Sequence, residues 1–171
     1  MSGTDSPDVC AGLPVGATSR SMGRTIGEGE FTLLNTLTWS TSELHTNKVR
    51  MSTTSFGERL LAGPILTAVV AGLHSTSDGY QMIKRDHGIK FVAVLGMTAK
   101  YLASVLPGDT LWVDTMLVSA RPSARQQGVG VLVFRDVALN QRDEVVLEMD
   151  RSLLFTRVAS SVLTERVGGN P

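Results

Sequence analysis

From Ile89 onward the chain falls into four long extended stretches, 89–105, 110–121, 128–139 and 144–157. Pro107-Gly108-Asp109, Pro122 with Ser123, and Asn140-Gln141-Arg142-Asp143 separate them, residue types that set tight reversals at hairpin spacing. In the last stretch Val145, Leu147, Met149, Leu153 and Phe155 share one parity, while Glu148, Asp150, Ser152 and Thr156 fall mostly on the other. That alternation predicts an antiparallel strand buried on one face. Before Ile89 the apolar spacing is helical. Glu28-Gly29-Glu30 precedes Phe31, Leu33, Leu34 and Leu37, a short helix whose acidic end suits the dipole. The segment 39–47, Trp-Ser-Thr-Ser-Glu-Leu-His-Thr-Asn, is rich in hydroxyls and amides and predicts a loop or broken turn.

The segment from Ala62 to Leu73 is apolar on almost every side, and Pro64 suits a first helical turn because its missing N–H would be unpaired there. Such a helix is expected to be buried all round, and at 10–12 residues it falls short of the roughly 20 needed to span a bilayer. The four strands need a cover for their apolar face, and this helix is the strongly apolar one. The economical architecture is therefore α+β, a curved antiparallel sheet wrapped around one central helix, which is the arrangement of a hotdog fold. Residues 1–20 mix Ser, Thr, Gly, Pro and Asp without an apolar run and predict a disordered tail. The segment 159–171, ending Gly-Gly-Asn-Pro, predicts a second, and one domain spans 21–158.

Composition narrows the function. The 16 basic side chains balance 16 acidic ones, which removes the electrostatic case for nucleic acid or an anionic membrane as main partner. The single cysteine, Cys10, can form neither an intrachain disulfide nor a cysteine-rich zinc site, so a reducing, cytoplasmic setting is expected and the thiol reads as incidental. His74, Asp78, Asp86 and His87 are of metal-binding types, but their spacing matches no ligand pattern; this segment reads as a solvated loop over a substrate mouth. Trp39, Trp112, Met97, Met116 and Met149 read as packing residues.

Four stretches, taken in order, resemble one family. Gly23-Arg24-Thr25-Ile26 leads into the short helix; Leu44-His45-Thr46 matches the end of a D-x-N-P-L-H-T motif. Phe56-Gly57-Glu58-Arg59-Leu60-Leu61-Ala62-Gly63 is similar to F-G-x-R-I-A-H-G with one inserted residue, and Pro107-Gly108-Asp109-Thr110-Leu111 reproduces P-G-D-T-L ahead of a final hairpin with Glu144-Val145-Val146-Leu147-Glu148. Over about residues 22–158 the chain resembles the MaoC-like acyl dehydratases and (R)-specific enoyl-CoA hydratases, single-domain hotdog proteins.

The resemblance implies addition of water to a trans-2-enoyl thioester, with a loop carboxylate and a loop histidine sharing the acid/base work. Backbone N–H groups at the start of the central helix would polarise the thioester carbonyl. His45 occupies the histidine position, and imidazole is suited to proton transfer near neutrality. Gly63 is the expected carbonyl donor, with Ile65 next because Pro64 has no N–H. The carboxylate is missing. Ser40 stands where the family has aspartate, Ser42 where it has asparagine, and Glu43 where it has proline. A serine hydroxyl can hold water but cannot take its proton near pH 7. Three readings stay open: Glu43 supplies the carboxylate from a shifted loop; His45 is the sole base, with Ser40 or Ser42 orienting water; or hydration is lost, leaving an acyl-CoA-binding subunit of a hetero-oligomer, a thioesterase, or a partner to a complete chain. Arg121 and Arg125 are candidates for coenzyme A phosphates, since guanidinium geometry suits them. No redox cofactor or metal is implied; coenzyme A, or an acyl carrier protein, enters as part of the substrate. Pairing into a homodimer or larger even assembly is expected, because a lone sheet leaves an edge open.

Overall fold

The structure is a computed structural model that describes residues 8–158. The expected C-terminal tail, 159–171, lies outside the described residues, as do residues 1–7. The elements run β1 (Thr18–Arg20), β2 (Arg24–Thr25), α1 (Glu28–Leu37), α2 (Glu43–Thr46), α3 (Lys48–Ser52), α4 (Gly63–His74), α5 (Asp78–Asp86), β3 (Ile89–Tyr101), β4 (Thr110–Pro122), β5 (Val129–Asn140) and β6 (Val145–Arg157). β3 to β6 are the four expected strands, with ends shifted by a few residues at most.

The strands form one antiparallel sheet in the order β1-β4-β5-β6-β3, with β2 also on β4. β4, β5 and β6 are a meander, but β3 does not form a hairpin with β4. It pairs with β6 instead, and residues 102–109 carry the chain across to the other side of the meander. Gly108, at φ +92°, makes the reversal there, a conformation that a side chain resists. The next residue, Asp109, is buried and accepts from Leu106 N–H, Gln141 and Arg142. Burial alone would raise its carboxyl, but these donors hold it below the usual range. The P-G-D stretch is thus a structural lock at the mouth of β4.

α4 packs chiefly on β4, β5 and β6, where Ile65, Leu66, Val70 and Leu73 join Leu111, Val113, Ala138, Leu147 and Met149 in one apolar core. It is not buried all round, as its apolar composition led us to expect. Pro64, Ala68 and Gly72 are exposed and Gly63, Thr67 and Ala71 half-buried, a stripe of small residues that the sheet does not wrap. A second core, at the other end of the sheet, gathers Tyr80, Ile83, Ile89, Leu117, Leu132, Phe134, Leu153 and Phe155. Tyr80 and Ile83 belong to α5, so 78–86 is a helix and not the expected solvated loop: Ser77 caps it by accepting from Tyr80 N–H, and Asp78 sits in its first turn.

The expected N-terminal tail is also partly structured. Val9 and Leu13 are buried in the second core, and Thr18–Arg20 pairs with β4. Cys10 lies half-buried here, so tight on Gly130 that a Cβ added at that glycine would come 2.6 Å from its Sγ. Burial, with Asp8 nearby, pushes the thiol above its ordinary range, which keeps it a poor nucleophile. Packing was also over-assigned: Met149 is buried, but Met97 is half-exposed on β3 and Trp39 is 86% exposed.

Candidate functional site

The segment 39–47 is built from helix ends. α1 closes on Trp39 in the left-handed region at φ 55°, with Trp39 N–H donating to Thr36 O and Ser40 N–H to Asn35 O. This is a Schellman closure with tryptophan where glycine is usual. Ser40 is thereby held at the exit of α1, its hydroxyl 3.1 Å from the Thr38 hydroxyl. Ser42 then caps α2, accepting from Leu44 N–H, so the segment expected to be a loop or broken turn holds one single-turn helix and ends at Asn47, the cap of α3.

His45 lies on α2, half-buried. Two bonds clip its stretch to the approach of α4: Leu60 N–H donates to Leu44 O at 2.9 Å, and His45 Nδ1 lies 2.7 Å from Leu60 O. A carbonyl only accepts, so Nδ1 carries a proton, and in the neutral imidazole Nε2 is then the nitrogen with the lone pair. Leu61 N–H in turn bonds Val105 O, and Arg59 reaches Glu28 at 2.7 Å while lying over the Phe31 ring. Arg59 therefore ties α1 to the strap that carries Leu60 and Gly63.

Gly63 opens α4, and its N–H has no helical carbonyl behind it. The Ile65 N–H is not available as a second donor, because it bonds Ala62 O at 3.0 Å in a tight first turn. Tyr101 of β3 covers Gly63 so closely that a Cβ there would lie 2.9 Å from the ring, and its hydroxyl meets Thr67 Oγ1 at 2.9 Å.

Glu43 is not brought to His45. The two lie two residues apart on one helix, a spacing that does not share a face, and the Glu43 carboxylate accepts from Asn47 while lying 68% exposed beside Arg50. Arg121 and Arg125 lie elsewhere. Tyr101, Leu147, Ala138 and Val113 form one row across the sheet, and Arg121 sits eight residues further along β4, roughly 26 Å away. Within one chain the two arginines are at the opposite end of the sheet from Gly63.

No protein-family model matches the chain, and no curated protein matches it. Solved structures do. A MaoC-like dehydratase from Rhodospirillum rubrum is 22% identical with a TM-score of 0.71, over 86% of this chain and 93% of that one. The (R)-hydratase from A. caviae involved in PHA biosynthesis is 17% identical with a TM-score of 0.64, over 86% and 99%. A conserved hypothetical protein of Mycobacterium tuberculosis with a double hotdog fold, of which this chain covers 40%, superimposes over 85% of the present chain at a TM-score of 0.64 and 22% identity. The fold is a hotdog.

The concave face of this hotdog sheet also holds a constellation that was not anticipated. Asp136 stands between Phe134 and Ala138 on β5, Thr115 between Val113 and Leu117 on β4, and Arg151 between Met149 and Leu153 on β6, all at buried positions. Thr115 and Asp136 are directly paired, so three polar side chains form a belt between the two apolar cores. His74, the last residue of α4, completes it. Asp136 Oδ1 accepts from His74 Nδ1 and Thr115 Oγ1, each at 2.8 Å, and Oδ2 accepts from Arg151 Nε at 2.8 Å. The signal was available: Arg151 interrupts the inward parity of Val145 to Phe155, and Asp136 that of the apolar residues of β5.

Burial holds the His74 pKa below its ordinary value, against the opposing pull of Asp136, with Arg151 and Lys84 adding to the depression. His74 is therefore neutral in the folded protein near pH 7, whereas in the unfolded chain it protonates below about pH 6.5. Its contribution to stability is present above that value and is lost as pH falls through it. Between pH 6.5 and 5 the unfolding free energy should decline by up to about 1.4 kcal/mol per pH unit. Asp109, Asp114 and Asp150, all held low, add their losses only in more acidic solution. Urea titrations at pH 7, 6 and 5 check this, and His74→Asn should flatten the profile; a wild-type stability constant over the range would refute it.

Proposed function

We propose that the chain is an acyl-thioester hydro-lyase that adds water to a 2-enoyl thioester, or removes it from the 3-hydroxyacyl form, with His45 as its single acid/base group. The observation that carries this reading is the clip between His45 Nδ1 and Leu60 O: it leaves Nε2 of the neutral imidazole to act as a base, and it anchors His45 to the backbone at Leu60, three residues ahead of Gly63, whose N–H has no helical partner. Water gives a proton to His45 Nε2 as its oxygen bonds the β-carbon. The charge moves to the thioester oxygen, where Gly63 N–H donates, and the imidazolium returns the proton to the α-carbon. Ser40, fixed at the exit of α1, can hold a water but not deprotonate it. The likeness in fold to a MaoC-like dehydratase and an (R)-hydratase supports the assignment.

A homodimer fits the fold's open side. β3 is an edge strand exposing Val92, Val94, Leu95, Met97 and Tyr101, an apolar ladder that a second copy's β3 would cover. A second reading, a non-catalytic acyl-CoA-binding subunit of a hetero-oligomer, is favoured by Ser40 at the carboxylate position and by the exposed Leu37 and Trp39 that precede it in the chain. Among the described residues no helix is long and apolar enough to cross a membrane.

The test is incubation with short and branched 2-enoyl-CoA substrates, following enoyl absorbance and free thiol together. Absorbance loss with the thioester intact is the expected result. Thiol release would replace the reading by thioester hydrolysis, and binding without turnover would replace it by the subunit reading.

A further inference from the structure

We propose that Arg59 is a positioning residue of the candidate site: its guanidinium holds the strap 53–62 against α1, and so keeps Leu60 O where it fixes the proton of His45 on Nδ1. Only the kinetic consequence depends on the hydro-lyase reading, because the imidazole proton can be located without turnover.

Ser40 leaves α1, His45 lies on α2 and Gly63 opens α4, so their relative placement depends on how those elements are tied. Leu60 ties two of them. Its N–H donates to Leu44 O at 2.9 Å and its carbonyl accepts from His45 Nδ1 at 2.7 Å, so both backbone groups of one residue hold α2. Residues 53–62 belong to no helix or strand, and Leu61 N–H bonds Val105 O on the side of the 102–109 crossing. Toward α1 the tie is Arg59. Its side chain is 8% exposed, and Nη2 donates to both Glu28 oxygens, at 2.7 and 2.8 Å, while Nε donates to Glu58 at 3.1 Å. The guanidinium carbon lies 5.3 Å from the ring centre of Phe31, a fully buried residue of α1. Glu58 in turn reaches Lys48 of α3 at 3.5 Å. One buried cation thus joins the strap to α1 directly and to α3 through Glu58, the elements on either side of α2 in the chain. Charge-assisted bonds to a planar guanidinium fix angle as well as distance.

Removing that cation does more than delete an attraction. Glu28 and Glu58, which meet on the same guanidinium, would then repel, and the strap would draw away from α1. Leu60 O would withdraw from Nδ1 with it. Released from that acceptor, a neutral imidazole can carry its proton on Nε2, and in that tautomer Nε2 is a donor and no base.

The test locates the His45 proton by ¹⁵N spectra of the full chain in mildly alkaline buffer. Arg59→Met keeps an aliphatic stem for Phe31 and removes the guanidinium, and Glu28→Gln weakens only the α1 end of the tie. Both should move the His45 signals from the Nδ1–H toward the Nε2–H pattern, with Arg59→Lys in between. An arginine that merely stabilised the fold would leave the tautomer of the folded protein unchanged. Where a 2-enoyl-CoA is hydrated, Arg59→Met should also lower kcat by about tenfold or more with KM within about twofold, the effect of misplacing a reacting group. A folded Arg59→Met protein with wild-type His45 signals would overturn the proposal; if that variant does not fold, unmoved signals in Glu28→Gln would overturn it. Absence of turnover in the wild type, with the tautomer shift present, would sink the hydro-lyase reading and leave Arg59 in its role.

Discussion

On the proposed hydro-lyase mechanism, His45→Ala should lower kcat/KM for hydration of a 2-enoyl thioester by about 10²–10⁴-fold, the usual contribution of a positioned acid/base group. The effect should fall mainly on kcat, because the imidazole moves a proton and is not the principal contact of the thioester. Stability should change little: His45 is half-buried and contributes one hydrogen bond to Leu60 O, worth about 1 kcal/mol. His45→Asn separates positioning from chemistry, since the asparagine amide can still donate to Leu60 O but has no basic nitrogen. Parallel steady-state kinetics on both variants check the expectation. If His45→Asn keeps wild-type kcat, the histidine is a clip and the hydro-lyase mechanism falls.

Asp136→Ala should be the most destabilising single change in the polar belt, by about 3–5 kcal/mol. The carboxylate is fully buried and accepts three hydrogen bonds, so its removal leaves the Arg151 guanidinium buried without its anion and strips partners from His74 and Thr115. For a chain of this length that corresponds to a fall in Tm of roughly 6–20 °C. Replacing Asp136, His74 and Arg151 together by apolar residues of similar volume should recover much of the loss, because the cost lies in the unpaired charge more than in the lost attraction. Denaturant unfolding of the single and triple variants makes the comparison; a loss below about 1 kcal/mol for Asp136→Ala would show that water compensates the pair and that the belt is not sealed.

The alternation of Val145, Leu147 and Met149, the turn residues at Pro107 to Asp109, and the apolar run around Val70 were enough to specify four strands, their breaks and a central helix. Those are local signals: side-chain parity and turn propensity act over a few residues and survive without knowledge of neighbours. Strand order was not local. β3 joins β6 and not β4, because β1 and β2 occupy the free edge of β4, and residues 102–109 span the meander. Nor could the sequence say that residues 8–20 pack, since Val9 and Leu13 are two isolated apolar residues whose worth depends on the second core they meet. His45 and Gly63 were candidates through motif position alone; that His45 Nδ1 meets Leu60 O, that Ile65 has spent its N–H, and that Glu43 accepts from Asn47 became known only once the backbone between them was placed. His74, Thr115, Asp136 and Arg151 come from one helix and three strands, up to 77 positions apart along the chain. The sequence by itself determined the four strands, the breaks between them and the central helix; tertiary structure alone decided which side chains meet, because hydrogen bonds form between positions that pairing register brings together across the sheet.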